Sequence, residues 1–180
     1  MWKRLSQKQL FKHPRITLLE DDVQLPDGTV TQYMTFAHTN DSVTIIAQDD
    51  DKVLLSREYS YPVDDVLLQF PGGKAEPGED QTDNAQRELQ EETGYKAAKI
   101  TPLGWYYVNN RRTKAKMYVV LATELTLSKK EGGDIEEDIE SEWVAIADIE
   151  KMIQSGEIVN FSVLAAWALY RASNPVKGLE

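Results

Sequence analysis

The chain has 180 residues, carries 20 Lys and Arg against 30 Asp and Glu for a net charge of −10, and contains no cysteine. Its length suits one domain with a substantial core, its acidity argues against nucleic acid held through phosphates, and the lack of cysteine excludes disulfides and thiolate chemistry. No apolar run is long enough for a membrane span, and the opening MWKRLSQKQLFKHPR is basic but too polar for a signal peptide, so a cytoplasmic protein without a membrane partner is expected.

Residues 1–40 read as a small element of their own, ahead of a main domain over 41–180. Arg15–Val23 and Thr29–Ala37 are β-prone runs joined by Leu25-Pro26-Asp27-Gly28, a hairpin signal because Pro presets one turn dihedral and Gly tolerates a positive one. Val43–Gln48 and Lys52–Glu58 read as a second strand pair across Asp49-Asp50-Asp51. Those aspartates lack the spacing of a calcium loop and read as a solvated turn. Val66–Phe70 is a short apolar run that delivers Pro71-Gly72-Gly73. Helical periodicity then predicts a helix over Gln81–Thr93, with Asp80 and Thr82 as candidate caps, Asp83 suited to the first turn and Gly94 at the left-handed C-terminal position. Ile100–Val108, Met117–Leu127 and Glu142–Ile146 read as strands, and Ala147–Ser155 and Phe161–Ser173 as helices, with Lys129–Ile139 as a long loop. Strands interleaved with helices predict an α/β fold, a mixed sheet covered on both faces.

Within the first helix, Glu88 stands three and four residues before Glu91 and Glu92, so three carboxylates crowd one face. Each like-charged pair there costs about a few tenths of a kcal/mol, which a bound cation would offset. Hard divalent ions such as Mg²⁺ take carboxylate oxygens, keep several waters and share substrate phosphate oxygens. Arg87 can pair with Glu91 or with Glu79, and Ala85 and Leu89 on the opposite face would seat the helix on a sheet. A glutamate run alone is ordinarily a solvated helix face. A merely solvated face has no need of Gly73, Glu79, Arg87 and Gly94 at the offsets found here.

Together these residues, GKAEPGEDQTDNAQRELQEETGY from Gly73 to Tyr95, follow the pattern G-x5-E-x7-R-E-U-x-E-E-x-G-U, in which U is a bulky aliphatic. Tyr95 is the one departure and keeps the apolar bulk. The chain resembles the Nudix hydrolases over Val43 to Tyr170, which implies an α/β/α sandwich. It is similar to the ADP-ribose pyrophosphatase and nucleoside-diphosphate-sugar hydrolase branch through Leu55–Pro62, the Gln69–Gly73 lead-in, and Glu142-Trp143-Val144 followed by Ser155-Gly156-Glu157-Ile158. The resemblance implies metal-dependent hydrolysis of a diphosphate bond in ADP-ribose or another nucleoside-diphosphate sugar, giving a nucleoside monophosphate and a sugar phosphate. It also implies Mg²⁺ or Mn²⁺ as cofactor and a homodimer in which the N-terminal hairpin is exchanged. The alternatives are a nucleoside triphosphate pyrophosphohydrolase and a nucleotide-sugar sensor that binds without cleaving.

Carried over residue by residue, the resemblance makes Glu88 and Glu92 the principal metal ligands, Glu91 the third carboxylate and a candidate in catalysis, and the Gly72 carbonyl a further oxygen. Glu79 and Arg87 would hold loop to helix, and Gly73 and Gly94 would serve backbone geometry. Arg57 matches an arginine placed against the substrate's phosphates, where a planar fork can bind oxyanions bidentately. The acidic loop from Asp134 to Glu140 would supply the base, Glu137 first and Glu136 second. Arg111 stands where members specific for ADP-ribose carry proline, so Arg111 and Arg112 are candidates to meet a charged or sugar-bearing end of a different substrate. Gln69 departs from a glutamate common in the branch. Among Trp105, Tyr106 and Tyr107, a ring for stacking competes with ordinary core packing.

Overall fold

The computed structural model describes residues 1–37, 40–129 and 140–173. Its backbone divides into two units, one formed by Met1–Asn40 with Tyr107–Lys116 and the other by Asp41–Tyr106 with the chain from Met117 onward.

The first unit is an antiparallel sheet of β1 (Lys3–His13), β2 (Ile16–Gln24) and β3 (Val30–Phe36) in that spatial order. The β2–β3 turn forms as its residues dictate: Gly28 takes φ 88°, Leu25 accepts from its N–H at 3.0 Å, and Asp27 Oδ1 accepts from Thr29 N at 3.0 Å. Strand β1 was not anticipated. Every one of its residues is exposed, so it has no buried face to impose a period of two on its sequence. Pairing with β2 holds it instead, reinforced by Ser6 Oγ donating to Asp22 and Gln7 Nε2 to Asp21 at 2.6 and 2.8 Å. The segment after Tyr106 joins this sheet: Phe36 N donates to Arg112 O at 2.7 Å, Tyr33 OH donates to Arg111 O at 2.8 Å, and the Arg112 guanidinium lies over the Tyr33 ring.

The second unit is built on a mixed sheet of β4 (Ser42–Asp49), β5 (Lys52–Ser60), β6 (Asp65–Gln69), β7 (Tyr95–Tyr107), β8 (Lys116–Leu127) and β9 (Glu140–Ala145). The order is β6-β5-β4-β8-β7 with β9 on β5, and β4 runs parallel to β8. Alternate residues of the central strands feed two cores. Ile46, Val53, Leu55 and Val119 meet α2 (Ile146–Ser155) and α3 (Phe161–Ser173) on one face; Val43, Ile45, Leu54 and Val120 meet α1 (Gln81–Thr93) on the other. The result is the α/β/α sandwich, with strands that are apolar on both sides because both sides are covered.

Two expectations need correction. Strand β7 begins at Tyr95, directly after the helix stop, because Tyr95 and Ala97 pack on the α1 core while Lys96 and Ala98 face water. The β4–β5 pair is a hairpin only at its turn, through Gln48↔Val53 and Asp49↔Lys52. Beyond it the strands part, β4 pairing with β8 and β5 with β9 and β6.

Candidate active site

The parting of β4 from β5 makes room for the segment that carries the site. Ile45 N donates to Pro71 O and Val43 N to Gly73 O, each at 2.8 Å, so Pro71–Gly73 hangs from the backbone of β4. Gly72 sits against that strand with φ 148°, and a Cβ there would lie 2.1 Å from the Val43 carbonyl oxygen. Only glycine fits such an approach.

Helix α1 is set beside this corner by its own termini and apolar stripe. Asp80 is the cap, its side chain accepting from Thr82 N and Asp83 N at 2.8 and 2.9 Å; Thr82 does not cap. Gly94, at φ 76°, ends the helix with its N–H on Gln90 O. Ala85 and Leu89 are fully buried on the sheet, and, contrary to the expectation of opposite faces, Glu92 is buried on their side of the helix, so it is the sheet-facing edge that brings Glu88 and Glu92 to the Pro71–Gly73 corner.

Two carboxylates converge there. Glu92 is buried, and its Oε2 accepts from Gly72 N at 3.1 Å. The Glu88 carboxyl occupies the space a side chain at position 73 would need, a Cβ on Gly73 falling 2.3 Å from Glu88 Oε1. Glu91 is held by Arg87, whose Nη1 donates to its Oε2 at 2.9 Å. Arg87 is the hub of this face. It binds Glu79 bidentately at 2.9 and 3.0 Å, donates to Lys74 O and Asn84 Oδ1, and stands 3.0 Å from Glu88 Oε1. Hydrogen bonds from Arg87 hold the Glu79 carboxyl below the usual carboxylate range, and Glu79 in turn raises the pKa of Arg87. Sequence reasoning missed Asn84, which is buried and donates to Gly73 O at 3.4 Å. Its signal was available: a poor helix former inside the helix, one turn before Arg87.

The donors at this corner suit a divalent cation. Mg²⁺ is commonly held by one or two carboxylates and keeps the rest of its shell for water and phosphate. Glu88 and Glu92 are two such carboxylates, and the Gly72 carbonyl is the further oxygen expected from the sequence. Among the described residues no three acidic or histidine side chains already form a closed cage, since Glu91 is turned into Arg87. This arrangement corresponds to an open site.

The remaining sequence-derived residues fall in several places. Arg57 on β5 has its Nη2 2.7 Å from Glu142 Oε1 on β9. Arg111 and Arg112 belong to the first unit and line a cavity of about 490 Å³ there with Arg4, Asp21, Tyr33 and Lys114. Glu136 and Glu137 lie outside the described residues. Gln69 donates to Glu58 and accepts from Asn160 Nδ2, linking β5 and β6 to the residue before α3. Of the three aromatics, Tyr106 packs edge-on to Phe161, while Trp105 and Tyr107 are about half exposed.

A glutamate-bearing helix thus lies on a glycine corner of an α/β/α sandwich, with oxygen donors of the kind a metal-assisted hydrolase uses. The chain belongs to the Nudix family: the NUDIX domain matches residues 38–166, and a nucleoside diphosphate sugar hydrolase N-terminal domain matches residues 2–33. It is 31% identical to an ADP-ribose pyrophosphatase of Bacillus subtilis, over 87% of this chain and 85% of that one. It is also 31% identical to the ADP compounds hydrolase NudE of Escherichia coli, over 68% of this chain and 66% of that one. A crystal structure of an ADP compounds hydrolase superposes with a TM-score of 0.90 at 25% identity, covering 98% and 96% of the two chains. The protein is a Nudix hydrolase.

Proposed function

We propose that this hydrolase cleaves the diphosphate bond of a nucleoside-diphosphate-linked compound, ADP-ribose or another nucleoside-diphosphate sugar, giving a nucleoside monophosphate and a sugar phosphate. The observation that carries this reading is the presence in one chain of the Glu88–Glu92 corner and of an N-terminal segment that matches the nucleoside diphosphate sugar hydrolase N-terminal domain. Similarity to an ADP-ribose pyrophosphatase over 87% of this chain supports it. Arg111, standing in place of the proline typical of ADP-ribose specialists, favours a different sugar or charged end.

Glu88, Glu92 and the Gly72 carbonyl would hold Mg²⁺ or Mn²⁺, with Glu91 the third carboxylate once released from Arg87. Such an ion, when bound, offsets charge on phosphate oxygens and lowers the pKa of coordinated water. The chain's own residues do the rest. Glu79, Arg87 and Asn84 keep the loop and helix in register, and Arg57 binds substrate phosphate. Glu137, with Glu136 second, takes the proton from the attacking water. Arg111 and Arg112, on their cavity in the first unit, offer cationic groups to an anionic substrate.

A panel of ADP-ribose, several nucleoside-diphosphate sugars and nucleoside triphosphates, followed by phosphate release with Mg²⁺ and then Mn²⁺, tests the reading. Preferred cleavage of a diphosphate sugar supports it, preference for triphosphates replaces it with a pyrophosphohydrolase, and tight binding without turnover replaces it with a sensor. Arg57→Ala should raise KM about tenfold or more, the scale of a lost charge-assisted contact to phosphate; an unchanged KM removes Arg57 from the substrate site.

A homodimer and a cytoplasmic location complete the proposal. Trp2, Leu5 and Phe11 on and beside β1 are about half exposed, as is Met34 on β3, apolar side chains that a second copy would cover. Light scattering should give twice the chain mass; a monomer would refute the dimer. No helix of the described residues is long and apolar enough to cross a membrane.

A further inference from the structure

We propose that Glu142 is a positioning residue for Arg57, holding its guanidinium in the orientation that receives substrate phosphate; this rests on the reading of Arg57 given above. The two side chains stand on neighbouring antiparallel strands. Leu55 of β5 pairs with Glu142 of β9, and Arg57 pairs with Glu140, so Glu142 is the diagonal neighbour of Arg57. A long side chain spans that diagonal readily, and here Nη2 comes to 2.7 Å from Oε1.

Two features set this pair apart from an ordinary surface ion pair. Glu142 Oε1 is sealed from solvent and accepts no hydrogen bond of good geometry, so its attraction to Arg57 is that of charge for charge along an unaligned approach. The guanidinium carries five N–H donors in a rigid fork, and an unaligned contact at one nitrogen leaves that fork open to an oxyanion. Glu142 therefore anchors the cation without using the donors that phosphate would need.

The side chains are 42% and 41% exposed, and a pair this exposed contributes little to stability. Its value lies in preorganisation. An untethered arginine surrenders rotamer freedom when it binds, and tethering it beforehand is worth about two- to tenfold in affinity.

The test measures binding of α,β-methylene-ADP, a nucleoside diphosphate that resists cleavage at its bridge, by calorimetry with Mg²⁺. Wild type, Glu142→Gln, Arg57→Ala and the double variant are compared, the glutamine keeping the size of the side chain and losing its charge. Glu142→Gln should weaken binding about two- to tenfold, Arg57→Ala should weaken it further, and the double variant should bind like Arg57→Ala alone. In turnover of the panel compound cleaved fastest, Glu142→Gln should raise KM by the same factor and leave kcat within about twofold. A role in folding alone would lower Tm, and its effect would multiply with that of Arg57→Ala, which overturns the proposal. Unchanged or tighter binding by Glu142→Gln, with Arg57→Ala still weakened, overturns it as well. Unchanged binding by Arg57→Ala removes the reading of Arg57 and this inference with it, while leaving the diphosphate hydrolase to be judged by the panel.

Discussion

Glu92→Gln is expected to lower kcat/KM in Mg²⁺ by about a thousandfold or more while the protein stays folded. Glu92 is one of the two carboxylates on the Gly72–Gly73 corner, and its Oε2 accepts the Gly72 N–H. Glutamine has the same shape and an amide oxygen that can accept that N–H, so the corner keeps its form. What is lost is a full negative charge from the proposed cation site. A metal ion supplies several kcal/mol of transition-state charge stabilisation, and each 1.36 kcal/mol or so is a factor of ten in rate. The like-charged pair with Glu88, four residues away, also relaxes, so the metal-free variant should melt no lower than wild type. Thermal melts with and without Mg²⁺ separate the two effects. The wild type should gain Tm with added Mg²⁺, because a ligand of the native state stabilises it, and Glu92→Gln should gain far less. A variant with turnover within about tenfold of wild type would remove Glu92 from the metal site.

Gly72→Ala is expected to cost stability rather than chemistry alone, about 3 to 5 kcal/mol, from a strained left-handed φ together with overpacking. The added Cβ would meet the Val43 carbonyl oxygen at 2.1 Å and Thr44 Cα at 3.0 Å, both backbone atoms of a central strand paired to β8. Neither can swing aside as a side chain would. For a domain of this size the loss corresponds to a fall in Tm on the order of 10 °C. Gly73→Ala is the informative contrast, because the three atoms nearest its Cβ are all in the carboxyl end of Glu88, which can rotate away. That variant should keep most of its stability and lose activity, since Glu88 leaves the corner. Equal melting temperatures for Gly72→Ala and wild type would show that the Pro71–Gly73 segment is not held against β4 as described.

How much of this was legible beforehand depended on whether the cause was local. Helix α1 was readable to the residue, because a capping aspartate, an apolar pair four apart and a left-handed glycine all act within one stretch of chain. Arg87 was expected to pair with Glu79 or Glu91 and does both, and it also reaches Lys74 O and Asn84. Strand β1 was not legible, since a strand exposed along its whole length carries no hydrophobic alternation. The β4–β5 hairpin was overread: adjacency in sequence suggested full pairing, whereas β8, β9 and the Pro71–Gly73 segment take most of the available backbone.

The sequence by itself determined the chemistry on offer: three glutamates on one helix face, the arginine and glycines that frame them, and the alternation of strands and helices that builds a sandwich. These are patterns of spacing, and spacing along a chain sets which groups share a face. The tertiary structure alone decided which groups meet across the chain. Glu92 is placed on the Gly72 N–H, Asn84 beneath Gly73, Glu142 on Arg57 and the segment after Tyr106 on the N-terminal sheet by strand register and close backbone approach. Those contacts join residues distant in sequence, and no local pattern encodes a register between strands that only packing brings together.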